Sequence, residues 1–315
     1  MIRPDTKPAR DESPSDDCPG QVVAILNPKA GSATADAIRR ALEACFAGGR
    51  ARLEIHEIGD GDDLGAVVRE RLARGVELVI AAGGDGTVSA VADALAGTGT
   101  PLGILPMGTA NVLARELEIP LDVEAAARLL VDDHDVVAID AMRVGSRHYL
   151  TQVGVGLDAL MIRDTPTEQK KRYGNLAYLW AAARHLVGFQ PRRFTLEIDG
   201  KTINRSASEV VVANVGTLGQ PPFRWGPDIR VDDGTVDVCV ARARTIVHYL
   251  VLGWHVVTGQ HKADPNVRYY QARRAVSIAT RRPIPVQADG EVIGETPVRV
   301  EVAPGAVRVV APRRE

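Results

Sequence analysis

The sequence predicts an α/β protein in which a parallel α/β half precedes a half built mostly from β-strands. Two observations predict this fold class. In the first half, short apolar runs alternate with segments whose apolar residues recur at helical spacing, which is typical of a parallel sheet covered by helices. After about residue 135, alternating Val and Thr separated by Gly, Asp and Pro turns indicate further strands without intervening helices.

The first half contains four strand and helix units. Residues 22–26 form a continuous apolar run, as expected of a strand buried on both faces, and residues 35–46 then carry Ala and Leu at helical spacing. The alternation continues, which predicts strands at residues 53–58, 78–82 and 102–105 and helices at residues 62–74, 88–95 and 112–117.

The second half is predicted to be mostly β, with helical insertions at residues 173–187 and 245–258. We expect residues 1–20 to form a disordered tail, residues 21–135 the first domain and residues 136–302 the second. The last apolar segment, residues 306–310, can pair with either half, which leaves open a return of residues 303–315 to the first domain. The other predicted strands are residues 138–144, 148–153, 194–199, 208–214, 236–242, 275–280, 284–288 and 298–302.

Charge and cysteine content exclude several classes of protein. Lys and Arg total 38 against 40 Asp and Glu among 315 residues, a net charge of -2, so no overall attraction to nucleic acid is expected and any basic surface is local. The cysteines, which number three, are far apart and form no C-x-x-C pair, which disfavours a zinc site or a disulfide framework and favours a reducing, cytoplasmic compartment. No apolar stretch is long enough for a membrane span, and the first residues lack the apolar core of a secretory signal.

Three turns rich in Gly or Pro each follow a predicted parallel strand and open a predicted helix, at residues 27–32, 83–87 and 106–111. Because ligands bind at the carboxyl ends of strands in open α/β sheets, the turns are expected to converge on one crevice. Glycines let backbone amides approach a phosphate, and a helix N-terminus adds favourable partial charge, so a polyphosphate site is predicted. Asp85 would be costly beside bare phosphates and suggests a hydroxyl or a metal ion. One such turn alone would indicate only a tight connection.

Known nucleotide motifs are mostly absent. The chain has no G-x-x-x-x-G-K-[ST] loop and no H-R-D and D-F-G pair of a protein kinase. Gly154-x-Gly156-x-x-Ala159 has dinucleotide-binding spacing, but it lies in the β-rich half without a clean βαβ unit.

Six motifs occur along the chain. In order they are Asn27-Pro28-x-x-Gly31, Gly83-Gly84-Asp85-Gly86-Thr87, Pro106-x-Gly108-Thr109-x-Asn111, Gly154-Val155-Gly156-Leu157-Asp158-Ala159, Asp232-Asp233-Gly234-x-x-Asp237 and Asp289-Gly290-Glu291. Together they resemble the lipid kinases of the diacylglycerol kinase and sphingosine kinase superfamily, in the clan that includes NAD kinases. The resemblance implies a Rossmann-like parallel α/β nucleotide domain, a C-terminal antiparallel β-sandwich domain and an ATP site between them.

By this resemblance ATP and Mg²⁺ are the cofactors, Asp289 is the general base, and Glu291 orients metal or nucleotide. Phosphoryl transfer indeed needs charge neutralisation and a carboxylate near the acceptor hydroxyl. Asp233 with the carbonyl of Thr235 resembles a structural magnesium site, although Asp-Asp-Gly is also a common hairpin turn. From the residues alone, Asp289-Gly290-Glu291 is an ordinary turn. The implied nucleotide-binding residues are Asn27, Pro28, Gly31, Gly83, Gly84, Asp85, Gly86, Thr87, Gly108, Thr109 and Asn111.

Some residues depart from the family pattern. Ser89-Ala90 replace the usual Asn-Glu, and Glu57 stands where a Thr that contacts the nucleotide is expected. These departures bear on the phosphate donor and are not expected to touch the base Asp289. A basic cluster at residues 170–172 precedes aromatic and aliphatic residues up to Trp180, which fits equally an anionic membrane interface or a core helix.

The leading hypothesis is an ATP-dependent lipid kinase that phosphorylates a hydroxyl of a membrane lipid, with diacylglycerol foremost. The alternatives are a sphingoid-base, other alcohol or small-molecule kinase of the same clan, and a catalytically silent nucleotide- or lipid-binding protein. The expected partner is a lipid at a membrane surface rather than nucleic acid. A homodimer and peripheral membrane association are left open.

Overall fold

The computed structural model describes residues 20–30, 35–49, 51–132, 134–164, 191–217, 219, 223–226, 228–243, 264 and 266–313. The predicted helices at residues 173–187 and 245–258, the basic cluster at residues 170–172, Gly31 and almost all of the tail lie outside the described residues. The helices are α1 (Ala35–Phe46), α2 (Leu64–Ala73), α3 (Asp85–Leu95), α4 (Val112–Glu116), α5 (Val123–Leu129) and α6 (Leu157–Asp164). The strands are β1 (Gln21–Leu26), β2 (Arg52–Glu57), β3 (Leu78–Gly83), β4 (Leu102–Pro106), β5 (Asp135–Val144), β6 (Arg147–Tyr149), β7 (Gln152–Gly156), β8 (Arg192–Ile198), β9 (Lys201–Ala207), β10 (Glu209–Ala213), β11 (Val236–Ala241), β12 (Val267–Ala272), β13 (Ala275–Thr280), β14 (Pro285–Ala288), β15 (Glu291–Glu295) and β16 (Val298–Ala311).

The first half is a parallel sheet in the order β2-β1-β3-β4. Its central strands are continuous apolar runs because helices shield both of their faces, and Val23, Ile25 and Ile80 are fully buried. The strands β1, β3 and β4 are neighbours, so their carboxyl ends lie side by side at one edge of the sheet. This edge carries the three turns that the sequence singled out.

The last strand joins the two halves of the chain. The sequence predicts two strands, at residues 298–302 and 306–310, and this prediction is wrong because both belong to β16. One end of β16 pairs with β13, and the other pairs with β4 through Val309 and Leu102. The pairing of β16 with β5 shifts register between Ala303 and Val307, where Gly305 adopts a left-handed conformation with φ of 57°. One sheet therefore runs from the parallel strands into the antiparallel strands β13, β8 and β9.

A second, antiparallel sheet has the order β12-β11-β10-β7-β14-β15 and covers the antiparallel part of the first. The core between them holds Phe194 and Leu196 of β8, Ile278 of β13 and Val155 of β7, all essentially buried. Their alternation with exposed residues is the pattern that predicted strands in this half. The predicted fold class is thus confirmed.

Several elements differ from the prediction. The segment predicted as one strand at residues 148–153 is two strands, β6 and β7, because the amides at Leu150 and Thr151 turn away to a side chain instead of continuing a ladder. The sequence also missed α5, α6, β9, β12 and β15, and α3 begins inside the Gly83 to Thr87 turn. Among the described residues, no helix is both long and apolar enough to cross a bilayer.

Candidate active site

The three turns at the carboxyl ends of β1, β3 and β4 contact one another directly. The amide of Asn27 donates to the carbonyl of Ala82 at 2.9 Å, and the amide of Met107 donates to the carbonyl of Gly83 at 2.9 Å. Across the first two turns, the side-chain amide of Asn27 donates to Thr87 Oγ1 at 3.1 Å. The convergence that the strand order predicts is therefore present.

Two of the predicted glycines are required by close packing of the turns. A Cβ atom on Gly108 would lie 2.8 Å from the Cα atom of Gly84, which only backbone movement could relieve. A Cβ atom on Gly83 would lie 2.5 Å from the side chain of Thr87. Gly86 differs, because the space beside its Cα is open and the residue is exposed at the start of α3. That space is where a phosphate could approach the backbone of the turn.

Asp85 holds the third turn in place. Its carboxylate accepts hydrogen bonds from the amides of Asn111 at 2.9 Å and Val112 at 2.6 Å, at the start of α4. Burial raises the pKa of Asp85 above its ordinary value, the two amide bonds oppose this effect, and the charge of Asp289 adds to it. The two aspartates are thus electrostatically close across the cleft.

Asn111 gives the third turn its shape. It adopts the left-handed conformation with φ of 48°, and its side chain accepts from the amide of Gly108 and donates to the carbonyl of the same residue, both at 2.8 Å. This ring of hydrogen bonds engages both the oxygen and the nitrogen of the side-chain amide. Asn111 therefore shapes the turn that carries Thr109, and its own amide oxygen and nitrogen are already paired.

Asp289 and Gly290 are the two central residues of the hairpin between β14 and β15. Their φ angles are 45° and 87°, as a type I′ turn requires. The ordinary turn that the residues alone indicate is therefore present. Glu291 follows as the first residue of β15 and is exposed.

The carboxylate of Asp289 accepts five hydrogen bonds. The amides of Leu150, Thr151 and Gln152 donate to it at 2.9, 2.9 and 3.1 Å. The hydroxyls of Thr151 and Ser89 donate at 2.6 and 2.7 Å. A carboxylate offers about four lone-pair positions, so in this arrangement no acceptor position of Asp289 is left over.

Ser89 corrects one expectation from the sequence. The departures from the family pattern were not expected to touch Asp289, yet the Ser89 hydroxyl donates directly to its Oδ2 atom. The two residues are 200 positions apart. Sequence reasoning noticed Ser89 only as an exception, and it missed Thr151 altogether because no local pattern marks that residue.

Glu57 lies at the end of β2 and is ion-paired with Arg39 of α1. The Glu57 carboxylate is therefore neutralised by a residue of α1, the helix that follows the first turn. In the same region Lys29 pairs with the exposed Asp60. The Thr that was expected at this position has no counterpart here.

The residues predicted to form a structural metal site, Asp233 and Thr235, lie in a bend that directly precedes β11. Asp233 Oδ1 accepts from the amide of Thr235 at 2.9 Å and from its hydroxyl at 2.7 Å. The buried Asp140 accepts from the amides of Gly234 at 2.7 Å and Gly305 at 2.8 Å, which ties this turn to β16. In the part of the chain that the structure describes, no three His, Cys, Asp or Glu side chains are grouped as a metal centre needs.

The residues around the turns suit a nucleotide with its own magnesium ion better than an all-protein metal site. Mg²⁺ is usually bound by one or two carboxylates together with substrate phosphates. Asp85 begins α3, directly beside the open backbone of Gly86. These residues therefore fit ATP and Mg²⁺ as a bound pair.

Two family models match the chain. The diacylglycerol kinase catalytic domain matches residues 21–144, and the YegS C-terminal NAD kinase beta sandwich-like domain matches residues 151–311. Of the three amides that bind Asp289, that of Leu150 lies between the two matches, and those of Thr151 and Gln152 lie at the start of the second.

Individual relatives agree with these matches. A diacylglycerol kinase of Mycobacterium tuberculosis is 28% identical over 306 residues, which cover 93% of this chain and 96% of the relative. An uncharacterized protein of Synechocystis is 31% identical over 242 residues, which cover 76% of this chain and 55% of that protein's own length. The crystal structure of a diacylglycerol kinase from Bacillus anthracis gives a TM-score of 0.75 at 25% identity and covers 92% of this chain and 96% of that chain. The chain therefore belongs to the diacylglycerol kinase-like lipid kinases of the NAD kinase-like superfamily, which transfer phosphate to an alcohol group.

Proposed function

We propose that the protein transfers the γ-phosphate of ATP to a hydroxyl group of a membrane lipid, with diacylglycerol as the first candidate. One observation carries this proposal. The three strand-end turns meet at one edge of the parallel sheet and face the Asp289 hairpin of the second half, through the bond from Ser89. Relatives that are named diacylglycerol kinase support the choice of lipid.

The turns supply what polyphosphate binding needs. The amide groups at the start of α3 point out of the helix, and the helix dipole adds positive potential at the exposed Gly86. Mg²⁺, when bound with the nucleotide, would neutralise charge that develops on the transferred phosphate. We propose that Asp85 and Glu291 face that ion and that Asn27, Thr87 and Thr109 orient the nucleotide.

Asp289 is the proposed base that accepts the proton of the lipid hydroxyl. Its three amide donors are fixed by the backbone, whereas the donors Ser89 and Thr151 are hydroxyls that can rotate. Because Ser89 lies on α3 beside the phosphate turn, we propose that the lipid hydroxyl takes the place of the Ser89 hydroxyl at Oδ2. The departure at Ser89 would then mark where the acceptor binds.

The test is transfer of labelled γ-phosphate from ATP in mixed micelles that contain diacylglycerol, a sphingoid base or neither lipid. We expect product only with diacylglycerol and magnesium. Transfer to the sphingoid base alone would change the substrate and keep the reaction. No transfer to either lipid, with ATP bound normally in calorimetry, would contradict the proposal and favour a silent binding protein.

A further inference from the structure

The glycine-rich motif at residues 154–159 packs a buried side chain and does not surround a ligand. Gly154 lies in β7, and a Cβ atom there would be 2.0 Å from Asp158 Oδ2 and 2.6 Å from Gln287 Nε2. The glycine therefore makes room for the Asp158 side chain, which reaches back from the first turn of α6 across the strand. The proposed reaction assigns no role to this motif.

Asp158 is paired with a second buried carboxyl group. The amide of Asp158 donates to Glu209 Oε2 at 3.0 Å, and the two carboxyl groups contact each other. Glu209 is 9% exposed, and its Oε1 atom has no hydrogen-bond donor in the described part of the chain. Two adjacent ionised carboxylates would be very costly inside the protein, so the pair shares a proton. Burial and the charge of Asp158 raise the pKa of Glu209 well above its ordinary value, and burial also raises the pKa of Asp158.

Gln287 connects this pair to the Asp289 hairpin. It is fully buried, its Nε2 atom donates to Asp158 Oδ2 at 2.7 Å, and its Oε1 atom accepts from the amide of Gly290 at 3.1 Å. Asp158 Oδ2 accepts this bond, and Asp158 Oδ1 accepts from the amide of Ala159 at 2.5 Å. The orientation of the Gln287 amide follows, because its NH₂ group must face Asp158 and its oxygen must then face Gly290.

We propose that Gln287 is a positioning residue for phosphate transfer, held in a single orientation by the buried Asp158 and Glu209 pair. The Gly290 amide belongs to the peptide bond that follows Asp289. A fixed acceptor for that amide therefore holds Asp289 in its left-handed conformation and sets the direction in which Glu291 leaves the turn. The kinetic part of this inference rests on the proposed function.

The test reverses donor and acceptor between the two side chains. In Gln287→Glu an acceptor faces the acceptor Asp158, so the link should break. We expect kcat to fall about tenfold or more, since small displacements of reacting groups are costly, while KM for ATP stays unchanged. The double variant Asp158→Asn with Gln287→Glu restores a donor facing an acceptor and keeps the charge, so kcat should return to within about threefold of wild type.

Exchange of the Gly290 amide with solvent gives a second readout that does not need activity. It should quicken in Gln287→Glu, recover in the double variant and stay unchanged in the control Asp199→Asn, which alters another hairpin. A double variant that stays impaired, or unchanged kcat and exchange in Gln287→Glu, would overturn the inference. If Gln287→Glu does not fold, kcat and the exchange of the Gly290 amide are compared between the double variant and Gln287→Met instead. Wild-type protein that phosphorylates no lipid would contradict the proposed function instead, and the exchange rates would then judge the hydrogen-bond link alone.

Discussion

Asp289 has a structural twin in Asp199. Asp199 and Gly200 form the type I′ turn between β8 and β9, with φ angles of 50° and 87°. The Asp199 carboxylate accepts from three successive amides, those of Arg273, Arg274 and Ala275, as Asp289 does from residues 150–152. Among the described residues, no hydroxyl donates to Asp199 as that of Ser89 does to Asp289, and Asp199 lies away from the three turns. Both carboxylates therefore hold a neighbouring chain segment in place through its backbone amides. Only Asp289 faces the proposed nucleotide site.

Comparison of Asp289 with Asp199 distinguishes a structural role of Asp289 from a catalytic one. We expect Asp289→Asn and Asp199→Asn to lower thermal stability alike, because each places an amide NH₂ where a backbone amide donates. Only Asp289→Asn should lower the rate of phosphate transfer, by about 100-fold or more, since removal of a general base has effects of that size. The measurement is kcat beside the unfolding temperature. Equal activity in the two variants would show that Asp289 only holds the fold.

At the scale of elements, the strand-end turns work as one unit because two of them touch through glycine. Gly108→Ala would push its new Cβ atom to 2.8 Å from Gly84, and neither backbone can yield without separating the turns. We expect weaker ATP binding in calorimetry and a loss of about 1–3 kcal/mol of folding stability, as is usual for overpacking.

Gly48→Ala is the matched control for this substitution. Nothing lies within 4 Å of a Cβ atom at that position, after α1, so binding and stability should stay as in wild type. Wild-type ATP affinity in Gly108→Ala would mean that contact between the turns is not needed for the nucleotide.

The same elements show what the sequence can and cannot predict. The helix at residues 35–46 was predicted with its observed bounds because its apolar face is strongly periodic. The strand β15 was missed because it is an edge strand whose residues are mostly exposed, which leaves no apolar alternation. The three turns were found from local spacing. The hydrogen bond from Ser89 to Asp289 could not be predicted from local spacing, because only the tertiary fold brings α3 to the distant hairpin.

At the scale of the whole molecule, the two halves form one unit with the candidate site between them. They share β16, and Glu116 of α4 accepts from the amide of Thr217 at 3.0 Å and from Arg224 at 3.2 Å in the second half. Loss of either half would therefore remove part of the site. No pattern in the sequence predicts the bonds of Glu116, because its partners lie in an irregular segment.

The buried carboxyl pair should make global stability depend on pH. Since the pKa of Glu209 is raised in the folded protein, the folded state binds more protons than the unfolded state above the ordinary value of 4.5. The stabilisation from this group is thus fully present below that value and is lost as pH rises through the raised pKa.

Glu209→Gln keeps a neutral donor beside Asp158 at every pH. Its unfolding temperature should rise relative to wild type as the pH increases above the ordinary value of 4.5. Asp199→Asn should instead differ from wild type by a constant amount over this range, because, against the effect of burial, the amides of Arg273, Ala275 and Arg274 lower the pKa of Asp199. Its stabilisation is therefore present above the ordinary value of 3.8 and lost only in acid. A constant difference between Glu209→Gln and wild type across this range would mean that the pair holds no shared proton.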